Sequence, residues 1–150
     1  MLKALHPLHL KVGWSILIFS LYLLPFSGNR QKVDSVENLL TQNLPDTQRM
    51  DVLINLTDIL QFQDPKRGIT YGEEVLNMAE ERQDTARWTG VLSRIGACHA
   101  NLGDINEAER LWRETLTLEI ARNDSMGIGR QLTNIGTALD TKGDLDSAIQ

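Results

Sequence analysis

Apolar side chains recur every three or four residues along most of the chain, which is the spacing of one face of an α-helix. Stretches with this pattern are separated by short breaks rich in glycine, proline, asparagine and aspartate, and none shows the alternation of a β-strand over a useful length. The pattern therefore predicts an all-α chain built from helix–turn–helix units. The predicted helices cover residues 47–62, 65–81, 85–101, 105–122 and 125–142.

Two helix starts are marked by capping residues near the beginning of this pattern. Asp64 precedes Pro65, and an N-cap carboxylate followed by proline at the first helical position predicts that a helix begins there. Asp34 has a glutamate, Glu37, three residues later, which predicts a short capping helix that begins at Asp34. Residues 29–46 are therefore interpreted as a linker, polar up to residue 33, followed by this short helix.

Two later breaks have the same composition. Gly103 is suited to the left-handed geometry that ends many helices, and Asp104 with Glu107 forms a capping-box pattern for the helix that follows. Gly143 and Asp144 repeat this break. We therefore expect the last predicted helix to end there, with a second helix packing back upon it.

These breaks belong to a longer sequence pattern that occurs twice, at a spacing of forty residues. Self-similarity at a fixed period is typical of stacked supersecondary units. A glycine inside a helix lets a neighbouring helix approach closely, and alanine is small enough for a helix crossing, so we expect these positions to serve packing. Trp112 is expected to fill the space between one unit and the next. The equivalent residues are Ile95-Gly96 and Ile135-Gly136, Gly103-Asp104 and Gly143-Asp144, and Ala108 and Ala148.

The repeated pattern resembles that of the tetratricopeptide repeat (TPR) family, in a long-period form similar to bacterial exported or sensor-linked TPR proteins. The resemblance covers about residues 47–150, as a degenerate copy (47–83) in which Gly68 takes the small crossing position, a full copy (84–123) and a truncated copy (124–150). It implies a right-handed superhelical solenoid of antiparallel helix pairs. The resembling positions are Leu92, Ile95, Gly96, His99, Gly103, Ala108, Trp112 and Thr115, and then Leu132, Ile135, Gly136, Leu139, Gly143 and Ala148.

In that family the first helix of each unit lines a concave surface that binds peptides. The inward positions implied here are Gly90, Ser93, Arg94, Ala97 and Asn101, and then Arg130, Thr133, Asn134, Thr137, Asp140 and Thr141. Arginine can bind a carboxylate, and asparagine can hold a peptide backbone through its donor and its acceptor. The alternative for each position is an ordinary solvated helix face. The residues assigned to a peptide-binding face are Arg94, Asn101, Arg130, Asn134, Thr137 and Asp140.

The first 28 residues are predicted to be a targeting segment. Lys3 and Lys11 lie before or at the edge of an apolar run, 12–26, which is shorter than the roughly 20 residues that a membrane-spanning helix needs. This length fits the apolar region of a secretory signal peptide. An uncleaved anchor, with membrane contact through residues 12–26, is the alternative. We therefore expect an exported protein, periplasmic or extracytoplasmic, that is either free or anchored to the inner membrane.

The charge and the cysteine content limit which partners and which kinds of site are expected. The net charge is −5, and all 20 acidic residues lie beyond residue 27, so we expect no nucleic-acid partner, which would require a basic patch. Cys98 is the single cysteine, which excludes an intramolecular disulfide and a thiolate zinc site within this stretch. His99 is interpreted as a packed core residue. No nucleotide-binding, metalloprotease or hydrolase motif occurs, so no catalytic residue, metal ligand or cofactor is assigned.

The sequence thus predicts a non-enzymatic module that binds a protein or a peptide. The alternative is the extracytoplasmic sensor region of a longer signal-transduction protein, a histidine kinase or a helix-turn-helix regulator, with its output domain beyond residue 150. Leu145, Ala148 and Ile149 begin a further predicted helix, from which we expect the chain to be the N-terminal piece of a longer protein. Because a terminal unit leaves its apolar face uncovered, we also expect the C-terminal repeat to fray or to self-associate.

Overall fold

The computed structural model describes the backbone of residues 31–149 and the side chains of residues 31–143. Over that range the chain is all-helical and contains no strand, as the periodicity predicted. The predicted targeting segment, residues 1–28, lies outside the described residues. The helices are α1 (31–39), α2 (Asp46–Leu60), α3 (Pro65–Glu81), α4 (Thr85–Asn101), α5 (Ile105–Ala121) and α6 (Ser125–Ile149).

Aspartates cap the starts of three of these helices. Asp64 accepts a hydrogen bond from the backbone N–H of Arg67 at 3.3 Å, as the sequence predicted for the start of α3. Asp84 accepts one from the backbone N–H of Arg87 at 3.1 Å and a second from its guanidinium at 2.6 Å. Asp124 caps α6 in the same way. Each carboxylate satisfies an N–H group that the first turn of a helix leaves without a partner.

The helix start predicted at Asp34 is wrong. The helix α1 already covers residues 31–33, so Asp34 lies inside it and those residues are not a linker. Glu37, the expected partner in the cap, instead accepts a hydrogen bond from the hydroxyl of Tyr71 at 2.7 Å and pairs with Arg67. Its carboxylate therefore connects α1 to α3. A capping pattern is a local preference, and here a tertiary contact outweighs it.

The turn before α5 forms as predicted, but its capping box does not. Gly103 has the positive φ, 82°, that a left-handed helix end requires. Asp104 occupies the N-cap position without a side-chain bond to the helix backbone, and its carboxylate lies 3.3 Å from Nδ1 of His99. Glu107 accepts two hydrogen bonds from Arg110, at 2.6 and 2.8 Å. The Glu107 carboxylate therefore pairs with a side chain one turn further along α5 and does not cap the start of the helix.

The break predicted at Gly143 and Asp144 is absent, because α6 runs from Ser125 to Ile149 as one helix. A glycine inside a helix costs only about 1 kcal/mol relative to alanine, so it does not end a helix by itself. At Gly103 the turn is stabilised by a full helix, α5, that packs back onto α4. Within the described residues no helix that follows Gly143 packs back onto α6.

From Val36 onward the chain forms one compact unit, in which each helix packs mainly on its neighbours in the sequence. The helix α2 also contacts α4. The apolar stripes predicted from the sequence meet in clusters along this order, and each fully buried large side chain contributes about 1.5–3 kcal/mol. The clusters are Met50, Leu53, Val75, Ala79 and Val91; Leu92, Ile95 and Leu111; and Ala108, Trp112, Ile135 and Ala138.

Glycine lets a side chain of a neighbouring helix approach closely at Gly96 and Gly72, but not at Gly136. A Cβ atom on Gly96 would lie 2.7 Å from Nε1 of Trp112, and one on Gly72 would lie 2.6 Å from Cγ1 of Ile95. Gly136 was expected to act like Gly96, and this prediction is wrong, because a Cβ there would meet nothing within 4 Å. The difference arises because α5 covers this side of α4, whereas no described helix covers it on α6.

The N-cap bonds of Asp84 are expected to stabilise the fold in a pH-dependent way. We expect Asp84→Ala to lower the free energy of unfolding by about 1 kcal/mol near neutral pH, because it removes an N-cap bond. Hydrogen bonds from the backbone and then the side chain of Arg87 hold the pKa of Asp84 below its ordinary value of 3.8. A carboxylate with a lowered native pKa stabilises the fold above its unfolded pKa, and this contribution is lost as the pH falls through the native pKa.

Urea unfolding of Asp84→Ala and the wild type over a range of acidic to neutral pH would measure both effects. The two free energies should converge as Asp84 becomes protonated. Asp104→Ala is the matched control, because Asp104 occupies the same N-cap position without a side-chain bond to the backbone. Equal losses in the two variants near neutral pH would contradict the assignment of the effect to the cap.

Candidate functional site

The first helices of the predicted units, α2, α4 and α6, are joined side by side through polar side chains. The Oγ atom of Ser93 on α4 donates a hydrogen bond to Oε1 of Gln131 on α6 at 2.9 Å. Nε of Arg94, the next residue of α4, donates to Oδ1 of Asp58 on α2 at 2.7 Å. The positions predicted to face inward lie on one face of α4 and on the equivalent face of α6, because they are separated by three or four residues.

On α4, this face is largely occupied by contacts within the chain. Ser93 is only 5% exposed because it lies against Gln131. Arg94 is paired with Asp58, and its Nη1 donates a second hydrogen bond to the backbone oxygen of Gly90 at 2.7 Å. A peptide carboxylate would have to compete with Asp58 for this guanidinium. Of the assigned α4 residues, Asn101 is the one that is exposed.

On α6, the same face is open and carries two charges of opposite sign. Arg130 and Asp140 are exposed, and neither makes a hydrogen bond or an ion pair with another described residue. Arg130 is a minor cause of the lowered pKa of Asp124, which is due mainly to the backbone hydrogen bond from Gly127. The two charges are ten residues apart, which corresponds to about 15 Å along a helix axis.

The uncharged residues of this α6 face are fixed by their own helix. Thr137 is exposed, and its hydroxyl donates to the backbone oxygen of Thr133 at 3.1 Å. The hydroxyl of Thr133 donates in the same way to Gly129 at 3.0 Å. Asn134 is half-buried, with Nδ2 at 3.5 Å from Oε1 of Gln131. Each threonine oxygen can still accept a hydrogen bond from a ligand.

A buried polar group between α4, α5 and α6 was not predicted from the sequence. Glu119 on α5 is 4% exposed, and a Cβ on Gly127 would lie 2.6 Å from its carboxyl carbon. Arg122 lies 3.9 Å from this carboxylate and donates to Oγ1 of Thr89 at 2.7 Å. Glu119 stands in an otherwise ordinary amphipathic helix. The small residue opposite it, Gly127, was the available signal in the sequence.

The pair Cys98 and His99 does not have the features of a reactive site. Cys98 is fully buried, and burial, followed by the charge of Asp58, raises the pKa of its thiol to about 11. The thiolate needed for a nucleophile is therefore scarce near neutral pH. His99 is half-buried rather than packed in the core, and it lies beside Asp104 at the end of α4.

The carboxylates of Glu107 and Glu109 on α5 form ion pairs with neighbouring basic side chains. Hydrogen bonds from Lys142 and then Arg113 lower the pKa of Glu109, and a hydrogen bond from Arg110 lowers the pKa of Glu107. A general acid that works near neutral pH needs a raised pKa, so both shifts have the opposite direction. The bond between Lys142 and Glu109 connects α6 to α5.

The described side chains form no cluster suited to a metal ion, and some of them line an open cleft. Residues 31–143 contain no group of three or more histidine, cysteine, aspartate or glutamate side chains that could hold a metal ion. An open cleft of about 400 Å³ lies at the turn between α3 and α4. Its one N-cap carboxylate, Asp84, is already bonded to Arg87. The cleft is lined by Ala79, Glu80, Gln83, Asp84, Thr85, Trp88 and Leu118.

Comparison with known proteins adds no family to this description. No protein-family model matches the chain, and no curated protein matches it. Among the described residues, none of the helices combines the length and the apolar character that crossing a membrane requires. Function is therefore inferred from the geometry and the charges of α2, α4 and α6.

Proposed function

We propose that the helical part of this chain is a non-enzymatic, TPR-like module that binds a protein or peptide along α4 and α6. The forty-residue period, the antiparallel packing of successive helices and the glycine at the α4–α5 crossing support this class. The main observation is the pair Arg130 and Asp140. Both are exposed, and neither makes a hydrogen bond or an ion pair within the described part of the chain.

The two charges define the ligand that this face would bind. Arg130 suits a carboxylate, which it can contact through two parallel hydrogen bonds, and Asp140 suits a lysine or an arginine. Their separation of about 15 Å equals four or five residues of an extended peptide at about 3.4 Å per residue. The proposed ligand is therefore an extended segment with an acidic and a basic residue about four positions apart. Thr137 lies between the two charges.

The neighbouring helix, α4, adds polar contacts. Asn101 is exposed, and its amide can both donate to and accept from a peptide backbone. Arg94 remains partly exposed beside Asp58, so its pair can rearrange when a ligand carboxylate approaches. Each exposed ion pair contributes only about 0.2–1 kcal/mol. Affinity from this face is therefore modest unless the partner also buries apolar surface.

An array of peptides that differ in the spacing and order of one acidic and one basic residue tests this proposal. The wild-type chain should prefer one order at a spacing of about four residues. Arg130→Ala with Asp140→Ala should weaken that binding by about tenfold, because two ion pairs are lost. The exchanged variant, Arg130→Glu with Asp140→Arg, should prefer peptides of the opposite order.

Lys66→Ala is the matched control, because it removes an exposed positive charge from α3 without touching this face. It should bind the peptides as the wild type does. If the peptides rank the same for the wild type and for both Arg130/Asp140 variants, this face is not the binding site.

The proposed place of action is outside the cytoplasmic membrane. It rests on the sequence of residues 1–28, which lie outside the described residues. A signal peptide would release the module, whereas an anchor through residues 12–26 would hold it at the membrane surface.

A further inference from the structure

The open cleft at the turn between α3 and α4 combines an aromatic side chain with negative charge. Of its seven lining residues, Glu80 and Asp84 are acidic and none is basic. Its apolar surface comes from Ala79, Trp88 and Leu118. Its volume of about 400 Å³ lies within the range of sites that bind small molecules. A cleft of this composition is complementary to a cation that has an apolar body.

The aromatic side chain of the cleft, Trp88, is fixed by the core and remains half-buried. It packs against the cluster of Leu92, Ile95 and Leu111 and also against the cluster that contains Val91. Among aromatic side chains, an indole ring attracts a cation most strongly. Because the core already holds this ring in place, it loses little freedom when a ligand binds.

Glu80 provides the negative charge of the cleft that is free to pair with a ligand. Its side chain is exposed, and its carboxylate makes no hydrogen bond or ion pair with another described residue. The other carboxylate of the cleft, on Asp84, accepts a hydrogen bond from Nη1 of Arg87 at 2.6 Å. An ammonium ion in the cleft would therefore pair with Glu80 without displacing a contact of the fold.

The equivalent turn, between α5 and α6, forms without these two side chains. Gln83 and Asn123 are forty residues apart, and both have a positive φ, 55° and 56°. The aspartate that follows each of them caps the next helix. At the positions of the glutamate and the tryptophan, however, the later turn has isoleucine. The turn therefore requires neither side chain. The corresponding pairs are Glu80 with Ile120, and Trp88 with Ile128.

We propose that this cleft binds an organic ammonium ion, with the charge beside Glu80 and the apolar part against Trp88 and Leu118. Quaternary ammonium ions are a class of ligand that aromatic side chains recognise through their faces. Such an ion occurs either as a free small molecule or as the alkylated end of a lysine side chain. The cleft shares no residue with the proposed peptide-binding face of α4 and α6, so this site does not depend on that function.

Choline is the probe, added to the isotope-labelled full chain while the indole N–H signal of Trp88 is followed by NMR. This signal is the one that disappears in Trp88→Phe. We expect it to shift and to saturate with a dissociation constant on the order of 1 mM, as suits a ligand of few atoms. The uncharged analogue of choline, with carbon in place of nitrogen, should bind at least about fivefold more weakly, because it lacks the attraction to the ring and to Glu80.

Two variants with the same change in net charge test the role of Glu80. Glu80→Lys should weaken choline binding at least about tenfold, because it places a positive charge in the cleft. Glu81→Lys is the matched control, since Glu81 is also exposed but does not line the cleft. It should weaken binding at most about twofold, because solvent and salt screen its charge. Arg130→Ala with Asp140→Ala should leave choline binding unchanged, which separates this test from that of the peptide-binding face.

A short peptide that contains trimethyllysine distinguishes the two sources of the ion. Tighter binding of this peptide than of choline points to a side chain of another protein, and weaker binding points to a free ammonium compound. If choline leaves the Trp88 signal unchanged, or if the uncharged analogue shifts it as strongly, the proposal is overturned. Equal weakening by Glu80→Lys and Glu81→Lys would also overturn it, because choline would then respond only to the net charge.

Discussion

Replacement of Trp112 by alanine is expected to lower the free energy of unfolding by about 3–5 kcal/mol, the usual cost of deleting a large buried aromatic side chain. Trp112 is 5% exposed and packs with Ile135 and Ala138 of α6. Its Nε1 donates a hydrogen bond to the backbone oxygen of Ser93 on α4 at 3.0 Å. One side chain thus joins three helices, and its loss leaves a cavity at their junction.

Urea unfolding followed by circular dichroism measures this loss. Trp112→Phe is the graded comparison, because it keeps most of the ring contacts and removes the hydrogen bond. We expect it to cost about 1–2 kcal/mol. Natural domains have a free energy of unfolding of only about 5–15 kcal/mol. If Trp112→Ala is already partly unfolded without urea, the free energy of unfolding is measured on Trp112→Phe. Wild-type stability in both variants would contradict the role of Trp112 at this junction.

A second pair of variants should have opposite effects at two positions with the same local sequence, Ile-Gly. We expect Gly96→Ala to lower the free energy of unfolding by about 2 kcal/mol, because the added methyl group forces the rigid indole of Trp112 to move. Gly136→Ala should raise the free energy of unfolding by about 0.5–1 kcal/mol. Alanine favours the helix over glycine, and nothing lies within 4 Å of the new methyl group.

The same unfolding experiment compares the two variants directly, and each serves as the control for the other. A double variant, Gly96→Ala with Trp112→Ala, should cost less than the sum of the single changes, because the alanine methyl group no longer meets the ring. Additive losses would show that the cost at Gly96 does not come from Trp112. Equal effects of Gly96→Ala and Gly136→Ala would contradict the packing difference between α4 and α6.

The candidate site could be predicted from the sequence only as far as the choice of helix face. The forty-residue period and the resemblance to known repeats selected Arg94 and Arg130 as arginines of the same face. In the structure the two arginines have different surroundings. Asp58 forms an ion pair with Arg94, whereas no carboxylate pairs with Arg130 within the described residues. Asp58 is thirty-six residues from Arg94 in the chain, so no local pattern could have shown this pairing.

Helix positions were determined by interactions that reach only a few residues along the chain. The cap of Asp64 on α3 and the ability of Gly103 to adopt a left-handed conformation depend on short-range hydrogen bonding and steric freedom. Both are therefore visible in the sequence. The apolar spacing that set which face of each helix is buried is local in the same sense.

The outcomes that only the tertiary structure decided involve a partner from a distant part of the chain. Glu37 leaves its expected cap for Tyr71 and Arg67 of α3. Gly103 forms a turn because α5 packs back onto α4, whereas Gly143 stays inside α6. In each case the local sequence allows two arrangements. The contact with another helix selects between them, and only the folded chain shows where that contact is.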